Sequence, residues 1–133
     1  MGLNPRHYFI FRFVFKGDDD IFLNRFLLDE LLDLYEEKAD SDLLIGSILR
    51  GGEPVRDPES KYFISEEEYP PVRFPAYPSG GGFVFSRKTA KSLHSQLMKM
   101  QPISVDDALI GLAMNKLGLS GFKLIIIFIK LNH

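Results

Sequence analysis

Residues Phe9 to Asn24 read Phe-Ile-Phe-Arg-Phe-Val-Phe-Lys-Gly-Asp-Asp-Asp-Ile-Phe-Leu-Asn. The first eight are aromatic or β-branched apart from Arg12 and Lys16, which is the composition of a buried strand. Gly17-Asp18-Asp19-Asp20 is a cluster of turn formers that ends it. Asn24 is an N-cap residue. Behind it Phe26, Leu27, Leu28, Leu31, Leu32, Leu34 and Tyr35 recur at helical spacing, until Glu36-Glu37-Lys38 closes the helix. Leu43 to Leu49 is a second strand-like run. Strand, turn, helix, strand is a βαβ unit and predicts an α/β fold with a mixed, mostly parallel sheet flanked by helices.

Beyond this unit the pattern turns irregular. Pro54, Pro58, Pro70, Pro71, Pro75 and Pro78 punctuate the stretch from Gly51 to Gly82. Proline fixes φ and removes a donor, so this is long loop with a short extended piece at Tyr62–Ile64. Loops of this length generally bind or cover something. Phe83 to Ser86 is a short strand. Ser86 caps a helix running from Arg87 to about Met100, with Ala90, Leu93, Leu97 and Met100 on its apolar face. Ser104-Val-Asp-Asp107 has capping-box spacing and opens a last helix that Gly118 stops.

Composition narrows the function classes. The chain has 133 residues, a net charge of -2, no Cys and 45% hydrophobic residues. That is one domain with enough apolar material for a core. The charge provides no basic field for a nucleic acid. Without Cys there is no disulfide scaffold, thiolate zinc site or Cys nucleophile. Neither Tyr8–Phe15 nor Leu124–Ile129 approaches the roughly 20 apolar residues of a membrane helix; the second reads as a buried strand.

Three features carry chemistry. Asp18-Asp19-Asp20 follows the carboxyl end of a strand, where α/β sheets bind ligands. In extended backbone Asp18 and Asp20 share a side, and two hard oxygen donors suit Mg²⁺ or Mn²⁺ on a diphosphate. A solvated acidic turn has the same sequence. Asp106-Asp107 opens a helix, where acids complement the dipole. There one of them is also placed as a general base, since a helix N-terminus favours the ionised form. Gly80-Gly81-Gly82 permits close approach of backbone to a ligand, or a hinge. His94 reads as a helix-surface residue, and His7, His94 and His133 have no metal-ligand spacing.

These residues together resemble the β1,3-glycosyltransferases, glycosyltransferase family 31. Arg12 to Asn24 is similar to the family's DxD segment. Pro54-Val-Arg-Asp57, Lys61-Tyr-Phe-Ile64, Tyr69, Phe74-Pro-Ala-Tyr77 and Ser79-Gly-Gly-Gly-Phe83 resemble its proline- and glycine-rich stretch. Pro102 to Ala108, with Gly111 and Lys116-Leu-Gly118, resembles its acidic helix motif. The family-like region is 12–119, and the tail 120–133 is atypical.

The resemblance implies a partial GT-A fold in a single partial catalytic domain spanning 1–133. It also implies an inverting enzyme with a UDP-sugar donor, a Mn²⁺ or Mg²⁺ ion, and a glycan acceptor on glycoprotein or glycolipid. Asp20 matches the metal-binding acid, and Asp18 and Asp19 its donor-contacting neighbours. Asp107 matches the general base. Gly80, Gly81 and Gly82 match the donor wall, and Tyr77 the acceptor side. Lys16-Gly17 is nearer the N-acetylglucosaminyltransferase branch, which implies β1,3 transfer of N-acetylglucosamine to a galactose-terminated glycan. β1,3-galactosyl transfer and a non-catalytic remnant of the same fold are the alternatives.

Some family features differ. Ala108 stands where Val is usual and Ser47 where many members have Asp. The first nucleotide-binding strand and the downstream metal-binding His have no counterpart, and His133 does not match that His. The chain is therefore expected to be a fragment or truncated product of a lumenal Golgi membrane enzyme, its anchor belonging to a longer form. A Mg²⁺-dependent phosphotransferase gives the proline–glycine stretch no role and is set aside.

Overall fold

The computed structural model describes residues 11–119 and the backbone of Phe122–Lys123 and Phe128–Lys130. The strand expected from Phe9 is β1, Phe13–Gly17. It is followed by β2 (Ile21–Leu23), α1 (Arg25–Leu34) and a 3-10 turn at Glu36–Lys38. Then come β3 (Leu44–Leu49), β4 (Tyr77–Ser86), α2 (Arg87–Leu97), α3 (Asp106–Lys116), β5 (Phe122–Lys123) and β6 (Phe128–Lys130). Leu124–Ile127 lies outside the described residues, as do Phe9, Ile10, His7 and His133.

The larger sheet has the order β1-β4-β3-β5, and β2 pairs with β6 separately. The α/β class holds, but the expectation of a mostly parallel sheet does not. β4 is antiparallel to both β1 and β3, and among the described strands of this sheet only the β3–β5 pair is parallel. β1 and β3 do run the same way, as a βαβ unit requires. They are not neighbours because β4 lies between them. The sequence signal of β4 was hidden by its glycines and Pro78, so its length and its central place were not legible.

β4 is the spine of the fold. Its side chains alternate across the sheet, so Phe83 and Val84 face opposite layers. Phe83 joins Leu44, Leu93, Ala113 and Met114 beneath α2 and α3. Val84 joins Leu28 beneath α1, with Phe13, Phe15, Leu23, Leu31 and Leu32 around them. Burying a side chain such as Phe83 contributes about 1.5–3 kcal/mol.

The ends of the helices show what the local sequence decides. Asn24 Oδ1 accepts the Leu27 N–H at 3.1 Å, as its N-cap position predicts. Ser86 Oγ accepts the Thr89 N–H at 3.1 Å and donates to the Ser41 carbonyl at 2.6 Å. Thr89 Oγ1 in turn accepts the Leu43 N–H at 3.0 Å, tying α2 to the entrance of β3. α2 ends at Leu97, short of the expected Met100, and His94 is exposed. Gly118 stops α3 with φ +70.

The capping box at Ser104 does not form. Val105 is the N-cap of α3 and makes no side-chain cap bond. The Ser104 hydroxyl turns away, 3.1 Å from Glu68 Oε2, and its N–H donates to Glu68 Oε1 at 2.6 Å. The Glu68 carboxylate offers two acceptor oxygens to Ser104, which competes with the helix end for the hydroxyl.

Candidate functional site

The proline-rich loop between β3 and β4 is a built wall. Arg56 donates to the carbonyls of Ile64 (2.8 Å), Tyr69 (2.8 Å) and Pro71 (3.1 Å). A proline-rich loop carries more acceptors than donors, and one guanidinium satisfies three of them. Underneath, Ile64, Tyr69, Phe74 and Ala108 form a small core of their own. Tyr69 and Phe74 stack at 4.8 Å, and Phe74 meets Tyr77 edge-on at 5.9 Å. Val55 and Phe63 form a lone bridge where a short extended piece was expected.

The glycine triplet lies within β4 rather than forming a hinge. Gly46 pairs with Phe83, yet Ile48 pairs with Pro78. Two steps along β3 therefore match five along β4, and the register breaks in a bulge. On the other side β1 pairs only as far as Gly82. Ser79, Gly80 and Gly81 belong to neither ladder, which leaves the Gly80 N–H available. It donates to Asp107 Oδ2 at 3.0 Å. A Cβ on Gly80 would stand 2.6 Å from both carboxylate oxygens, so this contact needs glycine.

Gly111 serves the same contact from the helix side. Asp107 and Gly111 share one face of α3. A Cβ on Gly111 would stand 2.4 Å from Tyr77 Cβ and 2.7 Å from the Ala76 carbonyl oxygen. Without it, α3 approaches β4 closely enough for Asp107 to reach Gly80.

Wall, bulge and helix enclose a cleft of about 490 Å³. Asp18, Tyr77, Gly80, Gly81, Asp106 and Asp107 line it, with Val55, Tyr62 and Phe74 from the wall. The structure thus brings Asp18, at one end of the triplet, into the same cleft as Asp107. Asp19 is exposed and Asp20 half-buried, and neither lines the cleft. Gly82 is buried opposite Gly17 in the ladder, outside the lining. The triplet is a turn between β1 and β2, so Asp18 and Asp20 do not share one extended side.

The electrostatics of the two helix acids diverge. Burial pushes the Asp107 carboxyl up, and the hydrogen bond and charge of Asp106 add to this, against the Gly80 N–H and Lys16. The sequence argument from the helix N-terminus pointed the other way. Burial also acts upward on Asp106, but its hydrogen bonds with Asp107 and the Lys16 charge outweigh it, and the net direction is down. Burial raises Tyr77 too, reinforced by the Asp107 charge. A carboxylate with raised proton affinity beside one with lowered affinity is how paired acids take separate roles.

Lys16 and Arg56 escaped the sequence reading as site residues. Lys16 Nζ lies 3.5 Å from Asp106 Oδ2, across ninety positions of chain, and no local pattern announces such a pair. Arg56 had a signal in hindsight: a lone cation inside an acceptor-rich loop.

For a cation, the donors within reach are the hard carboxylates of the triplet. Asp18 opens on the cleft, and Asp20 carries a buried oxygen, Oδ1. Among the described residues no group of three or more His, Asp or Glu forms a complete metal centre. Mg²⁺ and Mn²⁺ in general take one or two protein carboxylates and complete their shell with water and phosphate. Among the described residues no helix is long and apolar enough to cross a membrane.

Comparison with known proteins identifies the family. The family model described as Galactosyltransferase matches residues 6–124. The chain therefore belongs to the galactosyltransferase family. It is 42% identical over 108 residues to N-acetyllactosaminide beta-1,3-N-acetylglucosaminyltransferase 2 of Mus musculus, covering 80% of this chain and 27% of that protein. It is 36% identical over 116 residues to N-acetyllactosaminide beta-1,3-N-acetylglucosaminyltransferase 4 of Homo sapiens, covering 84% and 30%. UDP-GlcNAc:betaGal beta-1,3-N-acetylglucosaminyltransferase 7 of Rattus norvegicus is 34% identical over 116 residues, covering 84% and 29%. The chain thus spans less than a third of the length of these relatives.

Proposed function

We propose that this chain is part of a GT-A catalytic domain that transfers N-acetylglucosamine from a UDP-sugar, with inversion, in β1,3 linkage to a galactose-terminated glycan. The observation that carries the proposal is the shared cleft: Asp107, fixed by the Gly80 N–H at 3.0 Å, opens on the same space as Asp18. The choice of donor sugar rests on the relatives named N-acetylglucosaminyltransferases. A lumenal Golgi location for the longer form and a glycoprotein or glycolipid acceptor belong to the same proposal.

In this reading Asp107 is the general base. Its carboxylate takes the proton from the acceptor hydroxyl as that oxygen bonds to the anomeric carbon. The bond from that carbon to the diphosphate breaks on the opposite face, and UDP leaves with the electron pair. Raised proton affinity makes the ionised Asp107 a stronger base. The hydrogen bond from Gly80 keeps one oxygen fixed, leaving the other to face the acceptor. Tyr77 and the aromatic wall give the acceptor an apolar surface to lie on, and Gly80 and Gly81 let the donor sugar approach the backbone. Asp20 would hold Mn²⁺ or Mg²⁺, with Asp18 and Asp19 beside the diphosphate. The cation, when bound, shares the negative charge of the departing nucleotide.

Calorimetric titration of the chain with UDP and Mn²⁺ tests the donor side. Binding is expected in the wild type, retained in Asp107→Asn and lost in Asp20→Asn. No heat and no thermal shift with the wild type would remove the donor site from this chain. UDP-galactose and UDP-N-acetylglucosamine run in parallel decide between the two donors. Transfer to a β-galactoside by a longer form carrying Asp107→Asn would remove the base assignment.

A further inference from the structure

Lys16 is the penultimate residue of β1, two positions before the Asp triplet, and pairs with Phe83 across the ladder. Its ammonium lies 5.6 Å from the centroid of the Phe83 ring and 3.5 Å from Asp106 Oδ2. Among the described residues this is the one ion pair between β1 and α3. Asp106 Oδ1 accepts the Asp107 N–H at 3.0 Å, and Asp107 Oδ2 accepts the Gly80 N–H at 3.0 Å. A continuous polar chain therefore runs from the end of β1, through the first turn of α3, to the bulge of β4.

An exposed ion pair of this kind contributes little to stability, typically about 0–1 kcal/mol. Its placement matters more than its strength. Lys16 sits on the strand that delivers the triplet, and Asp106 on the helix that delivers Asp107. We propose that Lys16 and Asp106 are positioning residues: their ion pair fastens the first turn of α3 to the end of β1. The fastening holds the Asp107 carboxylate at one orientation and one separation from the triplet across the cleft.

The surrounding charges agree with that role. Asp106 raises the proton affinity of Asp107 by hydrogen bond and charge, whereas Lys16 lowers that of both acids. Lys16 therefore tempers what Asp106 imposes. Tyr77 faces Asp107 from β4, Asp18 opens on the cleft from the β1–β2 turn, and Glu53 and Lys61 open on it from the loop. Among these described residues, Lys16 is the one whose charged group lies within ion-pair distance of the Asp106 carboxylate.

The inference rests on Asp107 being the functional carboxylate, but its test does not need turnover. The carboxyl of Asp107 is titrated by carbon-13 NMR in the chain and in Lys16→Met, Lys16→Arg, Asp106→Asn and the Lys16→Met/Asp106→Asn double variant. The midpoint is expected to rise in Lys16→Met and to fall in Asp106→Asn. The rise should be smaller in the Asp106→Asn background, and Lys16→Arg should restore the wild-type value. At 1 M salt, where the screening length is about 3 Å, the Lys16→Met effect should shrink. Both side chains are accessible to solvent, so the variants should keep the wild-type melting temperature. A midpoint unmoved by Lys16→Met in a folded protein would overturn the proposal, as would shifts of the same sign in Lys16→Met and Asp106→Asn. If Lys16→Met does not fold, Asp106→Asn alone decides, because an unmoved midpoint there also overturns it. Binding of UDP with Mn²⁺ is measured separately, so losing the donor site leaves this result standing, and the reverse.

Discussion

Gly80→Ala tests the close approach on which the candidate site depends. Gly80 does not have a positive φ, so alanine meets no backbone strain there. The new Cβ would stand 2.6 Å from both oxygens of Asp107, and ordinary contact begins near 3.4 Å. The carboxylate must then withdraw by about 0.8 Å, enough to break the 3.0 Å bond from the Gly80 N–H. A hydrogen bond to a charged group contributes about 1.5–3 kcal/mol. Glycine-to-alanine replacement gives back about 0.4–1 kcal/mol by restricting the unfolded chain. Water reaches the half-buried carboxylate, so the net loss should be about 1–2 kcal/mol. For a chain of this size that is a fall of about 3–8 °C in melting temperature. The informative comparison is a double-mutant cycle with Asp107→Ala. Without the carboxylate the three atoms nearest the new Cβ are gone, and Gly80→Ala should cost nothing or stabilise slightly. Thermal unfolding of the four proteins measures the coupling. An equal cost in both backgrounds would refute the reasoning, because the clash would then lie elsewhere.

Four further outcomes follow from other contacts. Gly111→Ala drives a methyl into Tyr77 Cβ and the Ala76 carbonyl, neither of which can rotate away. It should destabilise by about 1–3 kcal/mol or more, read from denaturant midpoints. Arg56→Met removes three bonds to loop carbonyls; limited proteolysis within 51–76 should quicken while the melting of the sheet changes less. Ser86→Ala removes a buried cap and a bond to Ser41, and should cost about 2–3 kcal/mol by urea unfolding. Asp107 has a raised proton affinity in the fold, so its contribution is present at low pH and lost as pH rises through the folded value. Asp107→Asn should therefore be at least as stable as wild type at pH 7, the advantage disappearing once the wild-type acid is protonated. Lower stability of the variant at pH 7 would contradict the sign.

What the sequence disclosed is what neighbouring residues decide among themselves. Asn24 and Ser86 announce helix starts because capping needs only a side chain and a donor three positions on. Leu28, Leu44, Phe83 and Leu93 announce the core because periodicity reflects burial. The place of β4 was not legible, since its glycines and Pro78 read as loop and strand order is a matter of distant pairing. The same limit hid the Lys16–Asp106 pair and sent Ser104 to the wrong partner, because Glu68 reaches it from a loop 36 positions away. Asp107 could be marked as a candidate base. Its raised proton affinity could not, because burial beside Tyr77 and Gly80 exists only after folding.

Ser79, Gly80 and Gly81 owe no pairing to either neighbour, so the sheet tolerates changes there that a regular strand would transmit. Among the described residues, a Cβ added at Gly81 would find only Ser79 Oγ, at 3.8 Å. Gly80 is closed to such growth and Gly81 is open. Evolution or an engineer can thus reshape the floor of the cavity at position 81 while Phe83 keeps its seat in the interior.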